Sequence, residues 1–446
     1  MQILELKNIL QSHGIAGAGG AGFPSYAKLN EKADTIILNC AECEPLLKLH
    51  RQLLERHAYE IISTLNIIAE AVGAKQFIVA VKAAYKGAVG AVKKEIGDFP
   101  KGKLHLLDEI YPAGDEVVTI YETTGRVVPP GGLPIEVGVT VYNVETVLNM
   151  YYAITKGEGV THKFVTIAGE VKTPKTVCAP LGTRFSELID FCGGETLAET
   201  AIVCGGPMTG RIADKNDTVT KTTNGILVMP KDHYIIEKKT QKPSVSVKRA
   251  MSVCCQCRQC SELCSRNLLG HPISPSDFMR AVASNVPETT ALLNTQYCSQ
   301  CGLCGMYSCP QGLNPSALIG IYKSNLRKNG VKFSKKEKWD EVRPEREYRK
   351  VPMKRLIERI DVAKYDVDAP LSEDVLDIQT VKVMMSEHIG KPSEPSVTAG
   401  QSVKCGEIIA NAAEGALSLP IHCPIDGVVN EVTDKYIIIS KQKGSL

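Results

Sequence analysis

The chain has 446 residues and a formal net charge of +3, with 43% hydrophobic and 23% charged residues. This near-neutral balance argues against a nucleic-acid-binding protein, and the lack of any run of about 18 apolar residues predicts no membrane-spanning helix. Residues 1–10 form an amphipathic stretch rather than a secretory leader, so the sixteen cysteines are expected to be reduced thiols in the cytoplasm.

The first predicted domain, residues 1–156, alternates strands with helices. A short helix over 2–12 precedes a glycine-dense segment at 14–24, and helical patterns lie around 51–72 and 84–96. Apolar, strand-like runs occur at 35–39, 76–81, 104–108 and 139–142. This alternation is typical of an α/β domain with a mostly parallel sheet.

Three further domains make the predicted fold multidomain α/β and α+β. Residues 163–235 are predicted to form a small α+β module, and residues 251–330 a helix-rich domain. Short strands between Gly and Pro turns in 379–446 predict a β-sandwich or barrel. The basic stretch 237–250 is predicted to be a linker, and the charged stretch 331–350 a solvated connector.

Eight cysteines form two tandem runs in the helix-rich domain. They read Cys254-x2-Cys257-x2-Cys260-x3-Cys264 and Cys298-x2-Cys301-x2-Cys304-x4-Cys309. Such runs ligate [4Fe–4S] clusters, and in two-cluster ferredoxins the fourth cysteine of each run binds the other cluster. The predicted ligand sets are Cys254, Cys257, Cys260 and Cys309 for one cluster, and Cys298, Cys301, Cys304 and Cys264 for the other.

A pair of four-cysteine zinc sites is the alternative, since these sites also use Cys-x2-Cys pairs. A third cysteine two residues further on occurs in both runs and favours iron–sulfur clusters. The runs depart from the usual pattern at Ser265, which stands in place of a proline, and at the four-residue gap before Cys309. Cys255 breaks the spacing and is interpreted as a bystander.

The glycine-dense segment reads GIAGAGGAGFP over residues 14–24. Glycines let backbone N–H groups approach a phosphate, and a helix N-terminus adds a favourable dipole. A simple tight turn is the alternative for this segment taken alone. Three further motifs accompany it: N-x-x-E-x-E-P at 39–45, Y-P-x-G-x-E at 111–116 and Y-N-x-E-T at 142–146.

In this order the motifs resemble the flavin-binding subunit of respiratory complex I and the RnfC-type subunit of ferredoxin:NAD oxidoreductases. The resemblance implies bound FMN with NADH as electron donor, and catalytic roles for Glu42 and Glu44 beside the flavin and the nicotinamide. The implied cofactor-binding residues are Gly17, Gly19, Gly20, Gly22, Phe23, Lys28, Asn39, Glu42, Gly114, Glu116, Asn143 and Thr146.

The remaining domains resemble parts of the same family. Residues 163–210 are similar to its β-grasp (SLBB) module. Segments 388–392, 403–406 and 420–427 are similar to the RnfC barrel-sandwich domain, a relative of lipoyl and biotinyl carriers. A carrier needs an exposed lysine at a hairpin tip, and no lysine lies between residues 404 and 435. The tail is therefore interpreted as a structural or docking module.

The sandwich domain follows the clusters here, whereas it comes first in RnfC-type subunits. That order is similar to the cobalamin reductases of propanediol-utilisation microcompartments. The resemblance implies electron transfer from NADH through FMN and two [4Fe–4S] clusters to cobalamin. It also implies a cytoplasmic location inside a microcompartment, with a cobalamin adenosyltransferase and a shell protein as partners. The alternatives are an RnfC-like NADH:ferredoxin subunit of a membrane complex and a scaffold whose clusters only stabilise the fold.

Overall fold

The computed structural model describes residues 1–285, 289–332, 335–374 and 376–442. Parts of three predicted regions lie outside the described residues: 286–288 in the cysteine-bearing domain, 333–334 in the connector and 443–446 at the end of the tail. Within the described ranges, no helix combines the length and the apolar character needed to cross a membrane.

The first domain is built on a four-stranded parallel sheet with strand order β3-β2-β1-β5. Strand β1 is apolar on both faces because helices cover both sides: Ile36 and Leu38 pack into one core and Ile37 into another. The elements are β1 (Thr35–Cys40), β2 (Gln76–Lys82), β3 (Gly102–Leu107), β4 (Ile110–Tyr111), β5 (Val139–Asn143), α1 (Ile3–Ser12), α2 (Leu49–Arg56), α3 (Ala58–Ala71), α4 (Lys86–Glu95), α5 (Glu116–Thr124) and α6 (Val144–Lys156). The helical pattern predicted around 51–72 corresponds to two helices, α2 and α3, that meet at His57.

The small second module is a mixed five-stranded sheet with strand order β7-β6-β10-β8-β9 and one helix. Strands β6 and β10 are parallel and the other pairs are antiparallel. The elements are β6 (His162–Gly169), β7 (Lys175–Pro180), α7 (Phe185–Phe191), β8 (Thr200–Cys204), β9 (Arg211–Ala213) and β10 (Gly225–Pro230). A helix packed on a sheet of this kind is the β-grasp arrangement.

The cysteine-bearing domain is helical, and its helices begin earlier than predicted. They are α8 (Tyr234–Thr240), α9 (Pro243–Val253), α10 (Gln259–Glu262), α11 (Ser265–Leu268), α12 (Pro275–Ser284), α13 (Thr289–Leu293) and α14 (Pro315–Lys328). The prediction of a linker over 237–250 is therefore wrong. Pro243 is the first residue of α9, and Ser246 and Ala250 are its buried residues. Two small residues among basic ones give too weak an apolar pattern to predict a helix.

The end of the predicted solvated connector is packed against the first domain. Arg346, only 4% exposed, forms an ion pair with Glu122 of α5 at 2.5 Å. Strand β11 (Val351–Pro352) then pairs with β4 in antiparallel register, and α15 (Met353–Arg359) follows. The prediction for 331–350 is wrong over these last residues. The segment is held by the ion pair of Arg346 with Glu122, and such a pair leaves no periodic pattern of hydrophobic residues in the sequence.

The tail forms two small antiparallel sheets with strand orders β12-β18-β17-β14 and β13-β15-β16. Its elements are β12 (Thr380–Met384), β13 (Glu394–Pro395), β14 (Ser402–Val403), β15 (Ile408–Asn411), β16 (Ile421–His422), β17 (Gly427–Val432) and β18 (Tyr436–Ser440). Alternating residues such as Val381 and Val383 point into a core between the sheets. The result is the β-sandwich expected for this part of the chain.

Candidate functional site

The predicted flavin residues gather at one edge of the parallel sheet. Asn39 near the end of β1 and Asn143 at the end of β5 are register partners on neighbouring strands. Gly114 joins them because its carbonyl accepts a hydrogen bond from Asn39 Nδ2 at 2.9 Å. Ligands of open α/β sheets bind outside the carboxyl ends of the strands, so these residues lie where a cofactor is expected.

The glycine loop, residues 14–24, is held over the start of α6. The Gly17 N–H donates to the Phe23 carbonyl at 2.9 Å and closes the loop on itself. The Ala18 N–H donates to Thr146 Oγ1 at 2.8 Å. Thr146 thus anchors the loop to the first turn of the helix.

The outer side of this loop is open. An added Cβ at Gly19 would lie 2.7 Å from the side-chain nitrogen of Asn143, the residue that caps α6. Only glycine permits the backbone to come this close to Asn143. At the exposed Gly20, an added Cβ would meet nothing within 4 Å. Backbone N–H groups beside the positive end of a helix are suited to bind phosphate, so the loop fits the phosphate group of FMN.

Lys28 lies on the floor of the same site. Its Nζ donates to the Val141 carbonyl at 3.0 Å and lies 3.4 Å from the carboxylate of Glu116. Glu116 is the first residue of α5. The two side chains are 29% and 43% exposed, so both remain accessible to a bound cofactor.

Glu42, predicted to be catalytic, is buried and fully engaged. Its carboxylate accepts hydrogen bonds from the His50 N–H at 3.0 Å and from Arg51 Nε at 3.3 Å. The first of these caps α2 at its N-terminus, where a negative charge is favourable. Direct contact with substrate stays a prediction for Glu42, and the role that its geometry supports is to fix the segment between β1 and α2.

Glu44, the second predicted catalytic residue, reaches out of the first domain. Its carboxylate accepts from the backbone N–H groups of Met208 and Thr209, at 2.9 and 2.8 Å, in the β-grasp module. Burial raises the pKa of Glu44. These bonds dock the β-grasp module on the flavin segment, and contact of Glu44 with the nicotinamide stays a prediction.

Two residues outside the predicted set complete the site. His50 Nε2 lies 2.9 Å from the Asn143 side-chain nitrogen, and burial lowers the His50 pKa to about 4, so neutral His50 accepts this hydrogen bond. Cys43 Sγ accepts from the Gly114 N–H at 2.5 Å. From the sequence His50 could approach the flavin, but a lone histidine is more often a surface or packing residue, and a cysteine between two glutamates does not predict a contact with Gly114.

The two cysteine loops share one backbone conformation. Each passes through left-handed residues two and four positions after its first cysteine. They are Gln256 (φ +54°) and Arg258 (φ +66°) in the first loop, and Gln300 (φ +61°) and Gly302 (φ +79°) in the second. Three of these are not glycine, and such residues rarely take positive φ. The two runs therefore repeat the same pair of left-handed positions.

Thiols from both cysteine runs lie near Cys260. Burial, with a smaller contribution from the neighbouring thiols of Cys309, Cys257 and Cys254, raises the pKa of Cys260 to about 12. Cys309 belongs to the other run in sequence, yet it lies among the first three thiols of this run. Soft thiolate ligands in such a set fit an iron–sulfur cluster.

Cys304 lies near thiols of both predicted sets. Burial raises the pKa of Cys304 well above its ordinary value, and Cys298, Cys301, Cys264 and Cys260 add to the effect. Within the described ranges, no group of three or more His, Cys, Asp or Glu side chains is arranged to hold a single metal ion. A [4Fe–4S] cube takes one thiolate at each of four irons, and this assignment of ligands stays a prediction.

A π-helical turn takes up the extra residue in the second run. Residues Cys304–Ser308 form this turn, whereas the matching part of the first run is the α-helical segment Gln259–Glu262. A π turn bonds residue i to i+5 and holds one residue more than an α turn. The four-residue gap before Cys309 therefore lengthens the turn without displacing the cysteine.

The second loop lies against the flavin domain. The Tyr111 hydroxyl, at the end of β4, donates to the Cys301 carbonyl. Arg266, two residues after Cys264, pairs with Asp115 at the start of α5 at 2.9 Å. The set that contains Cys264 and Cys301 is thus the one beside the predicted flavin site.

The first loop faces solvent instead. Cys257 is exposed, and the bystander Cys255 is exposed beside it. Arg258 is also exposed. The two cysteine sets therefore differ in position, with one set against the flavin domain and the other at the surface.

Four family models match successive parts of the chain. They are the Nuo51 FMN-binding domain at residues 10–152, the SLBB domain at 164–212, the 4Fe-4S dicluster domain at 253–314 and the RnfC barrel sandwich hybrid domain at 362–445. The predicted fold class is confirmed. The chain is an electron-transfer oxidoreductase with FMN-binding and 4Fe-4S dicluster domains.

Individual proteins are similar over different lengths. Cobalamin reductase PduS of Citrobacter freundii is 38% identical over 97% of this chain and 96% of its own length. One component of the Na(+)-translocating ferredoxin:NAD(+) oxidoreductase complex of Acetobacterium woodii is 31% identical over 61% of this chain and 60% of its own. A crystal structure of an NAD+-reducing [NiFe]-hydrogenase is 18% identical, covering 74% of this chain and 62% of that one with a TM-score of 0.49.

Proposed function

The chain belongs to the family of the PduS cobalamin reductases, and from that premise we propose that it passes electrons from NADH through FMN and two [4Fe–4S] clusters to cobalamin. FMN held at this site would supply hydride acceptance and single-electron release, and each cluster would carry one electron. The observation that carries the proposal is the contact between Tyr111 and Cys301, which joins the predicted flavin site to a predicted cluster loop.

The residues proposed to hold FMN act in three ways. The open N–H groups around Gly20 bind the phosphate beside the start of α6. Lys28 provides a positive charge near Glu116 at the sheet edge. Asn39 and Gly114 support the pocket wall through their mutual hydrogen bond. Glu42 is proposed to position this wall indirectly, through its hydrogen bond with the first turn of α2.

The cysteine sets are proposed to have different roles. The set Cys264, Cys298, Cys301 and Cys304 is the inner one, since its loop contacts the flavin domain. The set Cys254, Cys257, Cys260 and Cys309 is the outer one, with Cys257 exposed at the surface. An acceptor that docks at the outer loop would need no passage into the interior.

The test is anaerobic NADH oxidation by the protein reconstituted with FMN, iron and sulfide. We expect rapid oxidation with cob(III)alamin as acceptor, slow oxidation with ferredoxin, and loss of both in Lys28→Ala. Ferredoxin-dependent turnover without cobalamin reduction would support the alternative of an RnfC-like subunit of a membrane complex. If NADH bleaches the flavin and iron–sulfur absorbance but neither cobalamin nor ferredoxin is reduced, both proposed acceptors are wrong.

The PduS relatives also suggest where the reaction takes place. We propose that the protein works inside a bacterial microcompartment, in contact with a shell protein, and hands reduced corrinoid to a cobalamin adenosyltransferase. Co-purification of the tagged chain with intact microcompartments would support this location. Recovery of the chain only in the fraction free of shell protein would contradict it.

A further inference from the structure

The glycine loop is held at both ends by parts of the chain outside the flavin domain. Lys221, from the β-grasp module, donates from Nζ to the Gly14 carbonyl at 2.8 Å and lies 3.4 Å from the Pro420 carbonyl of the tail. At the other end, the Ile389 N–H of the tail donates to the Gly22 carbonyl at 3.0 Å. Three domains therefore meet on the predicted phosphate-binding loop.

The fit at these two positions leaves no space for a side chain. An added Cβ would lie 2.7 Å from the Pro420 carbonyl oxygen at Gly14, and 2.9 Å from Thr222 Cγ2 at Gly22. Both glycines have positive φ, +67° and +74°, a region that other residues enter at a cost. Gly14 and Gly22 thus determine both the conformation of the glycine loop and its close contact with the β-grasp module and the tail.

A lysine and a glutamate from different domains are buried behind the loop. Lys221 is 2% exposed and Glu387, in the tail, is 3% exposed. Neither carboxylate oxygen of Glu387 has a hydrogen-bond partner among the described residues. Burial lowers the pKa of Lys221 and raises that of Glu387, and each charge opposes the shift of the other.

We propose that Lys221 is a positioning residue for flavin binding, and that the C-terminal sandwich domain clamps the glycine loop through Lys221, Glu387 and Ile389. This inference rests on the proposed flavin site. It gives the tail a definite role, where the sequence left a structural and a docking module open. The backbone contacts of Ile389 and Pro420 come from the 388–392 and 420–427 segments that mark this domain in the sequence.

The test is the FMN dissociation constant of the full chain with its clusters reconstituted, measured by quenching of flavin fluorescence. We expect Lys221→Met, which keeps the length of the side chain and removes its charge, to weaken FMN binding at least about tenfold. Iron content and circular dichroism should stay at their wild-type values. Lys231→Met is the matched control, since Lys231 pairs with Glu199 on the surface of the same module and should bind FMN normally.

A second variant keeps the proposal testable if Lys221→Met does not fold. Glu387→Gln removes the partner charge with little change in volume. We expect weaker FMN binding and faster hydrogen exchange of the backbone amides in 14–22. Wild-type affinity in a folded Lys221→Met, or wild-type affinity and exchange in Glu387→Gln, would overturn the clamp.

These results are distinguishable from failure of the proposed function. If wild-type protein binds FMN and does not reduce cobalamin, the acceptor is wrong, and weaker FMN binding in the variants would still support the clamp. If wild-type protein binds no FMN, both the flavin site and the clamp are overturned.

Discussion

The hydroxyl of Tyr111 donates a hydrogen bond to the backbone carbonyl of Cys301. Tyr111 is 3% exposed and belongs to the flavin domain, whereas Cys301 is the second cysteine of the second run. The bond therefore crosses from the motif around Gly114 to the inner cysteine set. Because of this bond, we expect electrons to pass from the flavin site to the inner cysteine set before the outer set, and this order can be tested.

Replacing Tyr111 with Phe should slow electron transfer from the flavin site to the inner cluster. The substitution leaves the Cys301 carbonyl without this donor, at a cost of about 1 kcal/mol in folding stability. Anaerobic rapid mixing with NADH should show normal bleaching of the flavin and delayed bleaching of the iron–sulfur absorbance. Tyr348→Phe, at a residue 90% exposed, is the control. Unchanged cluster bleaching in Tyr111→Phe would show that this contact has no part in transfer.

Crossed ligation can be tested with pairs of serine substitutions. Cys264→Ser combined with Cys298→Ser removes two ligands of one proposed cluster, so about half the iron and sulfide should remain. Cys264→Ser combined with Cys257→Ser removes one ligand of each cluster, so this variant should lose nearly all of its iron and sulfide. Equal loss in the two pairs, or the reverse order, would rule out the crossed sets. Cys255→Ser should retain full iron content.

Lys28→Met should weaken FMN binding about tenfold or more, with both clusters retained. The change removes the positive charge at the sheet edge and leaves the partly exposed Glu116 carboxylate without its nearest cation. Flavin content after reconstitution and a fluorescence titration measure the effect. Lys32→Met, at an exposed position in the next turn of the chain, is the matched control. Equal flavin content in both variants would remove Lys28 from the site.

His50 should make the protein less stable in acid. Burial lowers its pKa from 6.5 to about 4, so between these values the unfolded chain binds a proton that the native chain does not. Stability is therefore complete above pH 6.5 and falls as the pH drops toward 4, by up to about 1.4 kcal/mol per pH unit.

Urea unfolding between pH 7 and 4.5 measures this effect. His50→Gln retains an acceptor for the Asn143 amide and should make the dependence of unfolding free energy on pH less steep, with His271, His388 and His422 still contributing. His105→Gln, on β3, should leave the wild-type slope. A His50→Gln slope equal to that of wild type would contradict a neutral, buried His50.

Much of the candidate site was predictable because its signals are local in sequence. The glycine segment, the motif from Asn39 and the cysteine runs each fix a loop through residues a few positions apart. The contacts among these loops were not predictable. The register of Asn39 with Asn143 depends on how the strands pair, and the capping of α2 by Glu42 depends on a helix start without a sequence signature.

The same reason accounts for the two wrong predictions of the fold. Residues 237–250 are helical because Ser246 and Ala250 pack on the cysteine-bearing domain, and Arg346 is buried because Glu122 faces it. Both depend on tertiary partners distant in sequence. The four-residue gap before Cys309 was visible in the sequence, but the π turn that accommodates it was not.

The most direct test of the proposed path is anaerobic rapid mixing with NADH and cob(III)alamin, in wild-type protein and in Cys257→Ser. In wild type we expect the flavin to bleach first, the iron–sulfur absorbance next, and cob(II)alamin to appear last. In Cys257→Ser, which lacks an outer ligand, the flavin and the inner cluster should still bleach while cobalamin reduction is lost. Cobalamin reduction at the wild-type rate in Cys257→Ser, or no bleaching of wild type by NADH, would contradict the proposed path.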